Sequence, residues 1–147
     1  MGAERQDVLF IQFAKTPRPG AVKTRMQPAL SPQQSADLHR DLMLWQCRRL
    51  CQSRLAPVEL WVDQWPSQET AFARALTLGV SHVRQQCGVD LGERMHHALS
   101  DGLQRYRKVV LVGSDCPGLT ECRIGQAIEA LGEGEDVCFV PAEDGGY

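Results

Sequence analysis

A short segment at residues 13–26, FAKTPRPGAVKTRM, concentrates positive charge in a part of the chain that has no carboxylate. No Asp or Glu occurs in residues 8–36. Unbalanced cations repel one another unless an anion or abundant water screens them. Arginine grips phosphate oxygens in a fork, and lysine adds a point charge. The segment therefore predicts a loop that binds a diphosphate, with a merely solvated basic loop as the alternative. The cations are Lys15, Arg18, Lys23 and Arg25.

The backbone of this basic loop is restricted by two prolines, Pro17 and Pro19. Gly20 permits either a turn or a close approach of the backbone to a ligand. Neither G-x-x-x-x-G-K-[ST] nor G-x-G-x-x-G occurs, so the loop is not a P-loop or a dinucleotide-binding turn.

Two later stretches carry carboxylates at comparable places. Asp115 in GSDCPGLT (113–120) follows a strongly apolar run, and its oxygens suit Mg²⁺ or Mn²⁺. The alternative is an Asp that braces a turn or caps the next helix. Glu143 and Asp144 in AEDGGY (142–147) precede two glycines, and this stretch alone is also typical of an acidic turn.

The elements that must position these residues alternate along the whole chain. Apolar runs of strand length alternate with stretches of helical periodicity. Ser31, Pro32 and Gln34 form a helix start with a capping box, and Thr120 caps the last helix. The predicted strands are 7–14, 57–63, 80–86, 108–113 and 136–142, and the predicted helices are 31–54, 66–76, 90–106 and 119–131.

This alternation predicts an α/β fold with a mainly parallel sheet and helices on both faces. Ligands of such sheets bind outside the carboxyl ends of the strands. The basic loop, GSDCPGLT and AEDGGY each follow a predicted strand, so we expect them to share one edge of the sheet.

Length and charge distribution limit the number of domains and the classes of protein that the chain could belong to. The 147 residues are a one-domain length, and we expect one domain over residues 1–147. No apolar window of about 18 residues is present, which excludes a membrane span, and the polar N-terminus predicts a cytoplasmic protein. Residues 1–54 hold nine Lys/Arg against four Asp/Glu, whereas residues 55–147 hold seven against fourteen. A site built from both ends could hold a polyanion with its metal ion, and no nucleic-acid partner is expected.

The six cysteines show no C-x-x-C pair and no His at the spacing of a zinc finger. Reduced thiols without a metal are the expectation for a cytosolic chain.

Four motifs in order, FAKTPRPGAVKTRM, GVDLGERM, GSDCPGLT and PAEDGGY, resemble the bacterial nucleotide-diphospho-sugar transferase family of GT-A (Rossmann-like) fold. That family includes glycosyltransferases of the arsenosugar-biosynthesis type. More distantly, the chain is similar to the molybdenum-cofactor and phospholactate nucleotidylyltransferases. The resemblance implies a metal-dependent transfer of a sugar from a nucleoside diphosphate sugar to an acceptor hydroxyl. The acceptor is unknown.

The resemblance also implies residue roles. Asp115 would bind the metal, Mg²⁺ or Mn²⁺. Asp144 or Glu143 would act as general base, and Gly145 and Gly146 would lie near the sugar or acceptor. Phosphate or nucleotide contacts would come from Lys15, Arg18, Gly20, Lys23, Thr24, Arg25, Asp90, Gly92 and Arg94, with Met95 nearby.

The family pattern continues past DGGY with a further strand, a helix and an acidic segment. The resemblance therefore implies that residues 1–147 correspond to about the first three quarters of a full domain, with the C-terminal part missing. An unpaired strand edge would then invite association, for instance as a homodimer. Two other functions stay open: nucleotidyl transfer from a nucleoside triphosphate, and nucleotide binding or assembly without catalysis.

Overall fold

The computed structural model describes residues 6–26, 28–64, 70–116 and 118–140. Within these ranges strands and helices alternate, which confirms the predicted α/β class. No helix there is long and apolar enough to cross a bilayer. The elements are β1 (Gln6–Ala14), α1 (Pro32–Ser53), β2 (Val58–Val62), α2 (Thr70–Leu78), β3 (His82–Gln85), α3 (Leu91–Arg105), β4 (Tyr106–Gly113) and α4 (Glu121–Gly132), with one 3₁₀ turn at Thr24–Met26.

The four strands form one sheet in the order β3-β2-β1-β4, and every neighbouring pair is parallel. β1 is a central strand because its apolar run can be buried on both faces. Phe10 of β1 aligns with Val58 of β2 on one side and with Val110 of β4 on the other. All five residues of β2 are buried as well.

Helices cover both faces of the sheet. Leu9 and Ile11 of β1 pack in a buried cluster with Ala98 of α3. The side chain of Gln12 points to the opposite face, where its amide donates to the carbonyl oxygen of Met43 in α1 at 3.0 Å. Because α2 contacts α1, these two helices share one face and α3 covers the other.

Local capping chemistry sets the helix starts. Ser31 accepts a hydrogen bond from the Gln34 amide at 3.1 Å, and the Gln34 side chain accepts one from the Ser31 amide at 2.9 Å. This is the predicted capping box. Thr120 caps α4 through the amide of Arg123, as predicted. The start predicted at residue 66 for the second helix lies outside the described residues.

Contacts divide the chain into two compact units, Met1–Cys116 and Pro117–Tyr147. The first contains the whole sheet with α1, α2 and α3, and the second contains α4. The single domain expected over residues 1–147 stays a prediction.

The strand predicted at 136–142 is wrong for residues 136–140, which form no strand. Val137 and Phe139 leave 62% and 64% of their surface exposed. A strand exists only through hydrogen bonds to a neighbouring strand, and an apolar run alone does not supply that neighbour.

Candidate functional site

Four loops follow the four strands at one edge of the sheet, because the carboxyl ends of parallel strands lie together. The basic loop follows β1, Asp63 and Gln64 follow β2, Gln86 follows β3, and Ser114 and Asp115 follow β4. Gln86 joins three of these strand ends, since its side-chain amide donates to the carbonyl oxygens of Ala14 and Trp61. The edge is thus a connected structure.

The first residues of the basic loop are held firmly. The Thr16 amide donates to Asp63 Oδ1 at 2.7 Å, and the Thr16 hydroxyl donates to the Gln64 carbonyl oxygen at 2.6 Å. On the other side His39 of α1 bonds the Lys15 carbonyl oxygen at 2.7 Å. Thr16 is buried, although it is polar, because Asp63 and Gln64 accept hydrogen bonds from its amide and its hydroxyl.

The loop then projects outward as an exposed turn. The Ala21 amide donates to the Arg18 carbonyl oxygen at 3.1 Å, and Gly20 has a φ of 79°. A side chain at Gly20 would meet nothing within 4 Å, so the glycine serves the turn rather than close packing. Val22 returns to the interior with 2% of its surface exposed.

Lys23 crosses the edge and forms an ion pair with Asp115. Its side chain is 13% exposed, whereas 59% of the Asp115 side chain is exposed. Lys23 has a φ of 49°, a left-handed conformation that is uncommon for a residue with a side chain and concentrates at ligand-binding positions. The structure therefore brings together the predicted phosphate-binding lysine and the predicted metal-binding aspartate.

The other loop cations remain at the surface. Lys15, Arg18 and Arg25 are exposed, and none pairs with a carboxylate among the described residues. Thr24 and Arg25 lie in the 3₁₀ turn. Of the four loop cations, Lys23 alone pairs with a described carboxylate, and the surplus positive charge would attract an anion.

Polar residues behind Asp115 fix its position. Gln12, fully buried in β1, donates from Nε2 to Ser114 Oγ at 2.9 Å as well as to α1. Ser114 Oγ in turn donates to the Phe13 carbonyl oxygen at 2.9 Å. The residue before Asp115 is therefore tied to β1 and, through Gln12, to α1.

GVDLGERM has a structural role at the start of α3. Asp90 caps the helix by accepting the Glu93 amide at 2.8 Å, and Arg94 Nε donates to the Gly88 carbonyl oxygen at 3.0 Å. Gly92 has Asp90 Oδ1 3.4 Å from the position of a Cβ. Their nucleotide-binding roles stay predictions.

Met95 is partly buried and packs against the apolar core between α3 and the sheet, which contains Leu9, Ile11 and Ala98. Gly88, which the sequence did not single out, has a φ of 143°. A Cβ there would lie 2.8 Å from the Arg94 nitrogen, so only glycine fits.

The remaining predicted residues, Glu143, Asp144, Gly145 and Gly146, lie outside the described residues. Their roles as general base and as sugar or acceptor contacts stay predictions.

A metal ion at Asp115 would need other ligands. No group of three His, Cys, Asp or Glu side chains in the described ranges could hold one. Mg²⁺, however, usually takes one or two carboxylates together with substrate phosphates. One exposed carboxylate beside a cationic loop fits that kind of site, and does not fit a cage made of protein ligands alone. The metal role of Asp115 stays a prediction.

Sequence reasoning missed the residues that position the site: His39, Gln12, Asp63 and Gln86. Polar residues inside apolar patterns could have indicated the first two, since Gln12 interrupts VLFIQFA and His39 lies on the buried face of α1. Burial lowers the pKa of His39 from its ordinary value, and the bond to the Lys15 carbonyl oxygen opposes that shift.

A shallow groove of about 340 Å³ lies elsewhere, between α1 and α2. Leu44, Trp45 and Leu78 line it together with arginines, and no residue of the candidate site does.

The chain is similar over nearly its full length to a solved structure. This is a protein of Desulfovibrio desulfuricans G20 described as a "putative nucleotide-diphospho-sugar transferase". It is 32% identical and aligns over 97% of this chain with a TM-score of 0.78. The chain spans 61% of the length of that protein.

A match to a family model covers residues 46–147, and no curated protein matches the chain. The family is described as an uncharacterized protein conserved in bacteria, DUF2064. The fold is thus that of a nucleotide-diphospho-sugar transferase structure, and the chain belongs to the bacterial DUF2064 family.

Proposed function

We propose that the chain is the donor-binding part of a metal-dependent glycosyltransferase, which moves a sugar from a nucleoside diphosphate sugar to an acceptor hydroxyl. The observation that carries this proposal is the charge at the carboxyl edge. Three exposed loop cations lack a carboxylate partner within the described ranges, and the fourth reaches Asp115. The similarity to the Desulfovibrio protein supports the transfer of a sugar from a nucleoside diphosphate.

The basic loop would bind the diphosphate. Arg18 and Arg25 are exposed and can hold phosphate oxygens in two-pronged contacts. Because Asp63 and Gln64 hold Thr16 at the start of the loop, little backbone freedom would be lost on binding, which favours affinity.

Lys23 would change partners. A diphosphate at the loop competes with Asp115 for the Lys23 ammonium, and the carboxylate is then available for a cation. When bound, Mg²⁺ or Mn²⁺ on Asp115 would neutralise charge that develops on the leaving diphosphate. Lys23 and the arginines add to the same stabilisation, because the charge of the diphosphate grows as the sugar departs. An acceptor hydroxyl would attack, helped by Glu143 or Asp144 as base.

The proposal is tested by titrating nucleoside diphosphates and their sugars into the protein with and without Mn²⁺, followed by thermal shift. A ligand at 100 times its dissociation constant should add about 2.7 kcal/mol of stability. Release of pyrophosphate from a nucleoside triphosphate would instead indicate nucleotidyl transfer.

A matched pair of variants separates the loop from general charge effects. Arg18→Ala with Arg25→Ala should weaken diphosphate binding at least about tenfold, because charged hydrogen bonds contribute roughly 1.5–3 kcal/mol. Arg48→Ala with Arg74→Ala removes the same charge from exposed positions on α1 and α2, and should leave affinity unchanged. Equal losses in both variants would contradict a specific phosphate site.

A further inference from the structure

His39 is a buried titratable residue that the proposed chemistry does not use. It lies on the face of α1 that covers the sheet, with 7% of its surface exposed. Its Nε2 is 2.7 Å from the carbonyl oxygen of Lys15. A carbonyl oxygen only accepts hydrogen bonds, so Nε2 carries the proton and donates. The imidazole therefore has one defined tautomer and one defined partner.

The Lys15 carbonyl that His39 bonds lies at the point where the chain leaves β1 and enters the basic loop. Lys15 is the first residue after β1, and the next amide, that of Thr16, is held by Asp63 from the side of β2. His39 holds the carbonyl of the same peptide unit from the side of α1. Two elements thus fix the plane of the peptide at which the basic loop leaves the sheet.

Beyond Thr16, whose hydroxyl also donates to the Gln64 carbonyl oxygen, no side chain in residues 17–21 is buried. Arg18 and Gly20 are exposed, and the next buried side chain is that of Val22. A peptide plane fixed at Lys15 therefore sets the direction in which the next residues leave the sheet. The orientation of the loop cations depends on this unit.

Packing alone does not explain a histidine here. The same face of α1 buries apolar residues such as Met43 and Leu50, and burial lowers the pKa of His39 because the cation is poorly solvated. Gln46, seven residues further along the helix, is also buried, yet its Oε1 finds no partner in the described part of the chain. Burial on this face of α1 therefore does not by itself give a polar side chain a hydrogen bond to the loop, and His39 has such a bond.

We propose that His39 is a positioning residue for the basic loop, holding the Lys15 carbonyl so that the loop cations are already oriented for a diphosphate. This inference rests on the proposed function for its ligand. Its physical basis is preorganisation, since a loop that is ordered before binding loses less entropy on binding.

The test compares three variants with inorganic pyrophosphate as the probe, measured by calorimetry without metal and well below the melting temperature. His39→Leu keeps the bulk and removes the donor, and should bind about tenfold more weakly. His39→Gln places an amide N–H near the position of Nε2, and should stay within about threefold of the wild type. Gln46→Leu alters the same buried face away from the loop, and should bind like the wild type.

Amide hydrogen exchange provides a readout that needs no ligand. The Thr16 amide donates to Asp63 Oδ1 and the Ala21 amide to the Arg18 carbonyl oxygen. Both amides should exchange faster in His39→Leu but not in Gln46→Leu. If His39→Leu does not fold, His39→Asn replaces it, because its shorter amide cannot reach Lys15.

The outcomes separate the two proposals. Absence of pyrophosphate binding to the wild type would overturn the proposed function, while loop exchange would still decide the role of His39. Equal affinity losses in His39→Leu and His39→Gln, or unchanged exchange at Thr16 and Ala21, would overturn the positioning role.

Discussion

Charged side chains are paired around a buried carboxylate at the amino end of the sheet, whereas at the carboxyl end they are mostly exposed and unpaired within the described residues. At the amino end, Glu59 of β2 is 1% exposed and accepts two hydrogen bonds from Arg105 at 2.7 and 3.0 Å. Arg84 and the Trp61 indole donate to the same carboxylate at 3.1 Å, and Asp101 gives Arg105 a second anion. At the carboxyl end, three of the four loop cations pair with no described carboxylate, and the fourth, Lys23, pairs with Asp115.

This difference follows from what each group of charges has to do. A buried charge is tolerated only if neighbouring charges and hydrogen bonds compensate it, and the Glu59 carboxylate receives both from Arg84 and Arg105 in the Glu59 cluster (Glu59, Arg84, Arg105 and Asp101). Exposed cations need no internal partner, and leaving them unpaired keeps them available for an anion. The amino end is thus built for stability, and the carboxyl end for binding.

Replacing Glu59 should have the largest effect on stability. Glu59→Gln keeps the shape of the side chain but leaves Arg84 and Arg105 without their shared anion. Removing one partner of a buried pair costs about 3–5 kcal/mol, and we expect the lower value because both arginines reach solvent. Urea denaturation measures the loss.

The control for Glu59 is an exposed pair of the same chemistry. Asp41→Asn breaks the contact of Asp41 with Arg40 on the surface of α1, and should cost under about 1 kcal/mol. Equal losses in the two variants would contradict the contrast between a paired interior and a binding surface.

At the carboxyl end, Asp115→Asn should change binding and leave stability nearly intact. Asparagine keeps size and hydrogen bonding but removes the charge that a hard divalent cation requires. Without metal, the variant should bind a nucleoside diphosphate as well as the wild type or up to about fivefold more tightly, because Asp115 no longer competes for Lys23. It should lose the affinity gained on adding Mn²⁺.

Titration of nucleotide with metal and with chelator decides this, and Asp7→Asn is the matched control. Asp7 is exposed and pairs with Lys108 at 3.5 Å, as Asp115 pairs with Lys23. An Asp115→Asn protein that still gains affinity with metal would transfer the role to Glu143 or Asp144.

Removing Lys23 should have a smaller effect in the opposite direction. In Lys23→Ala a free cation no longer competes with the ammonium for Asp115, so Mn²⁺ without nucleotide should bind about two- to fivefold more tightly. Lys108→Ala should leave this affinity unchanged. Weaker Mn²⁺ binding in Lys23→Ala would show that Asp115 is not the carboxylate at which the metal binds.

Local chemistry explains most of what the sequence predicted. The Ser31–Gln34 capping box and the Thr120 cap depend on residues three apart, so the sequence contains both partners. The helix start at residue 90 was predicted as well, but the same rule also identifies Asp90 as its cap, where the resemblance suggested a nucleotide contact.

Contacts between distant residues explain what could not be predicted. Parallel strands place the basic loop and Asp115 at one edge, but nothing local indicates that Lys23 meets a carboxylate 92 positions away. The bond from His39 to Lys15 depends on how α1 lies on β1. The strand expected at 136–142 fails over 136–140 for the same reason, since pairing requires a partner strand.

The pH dependence of stability should show the smallest effect, and it isolates the Glu59 cluster. Burial by itself would raise the pKa of Glu59, but hydrogen bonds from Arg105 and Trp61 and the charges of both arginines outweigh it and hold the pKa below its ordinary value. A carboxyl whose pKa is lowered by folding stabilises the folded state above its unfolded pKa, near 4.3, and loses that contribution as the pH falls through the folded pKa. The stability difference between wild type and Glu59→Gln should therefore be constant from about pH 7 to pH 5 and shrink below about pH 4.3.

His39, whose pKa is lowered by burial, also reduces stability as the pH falls below about 6.5, but it does so equally in both proteins and cancels in the difference. Urea denaturation of both proteins across this range measures the difference, and a gap that stays constant below pH 4 would mean that Glu59 is not held by its charge.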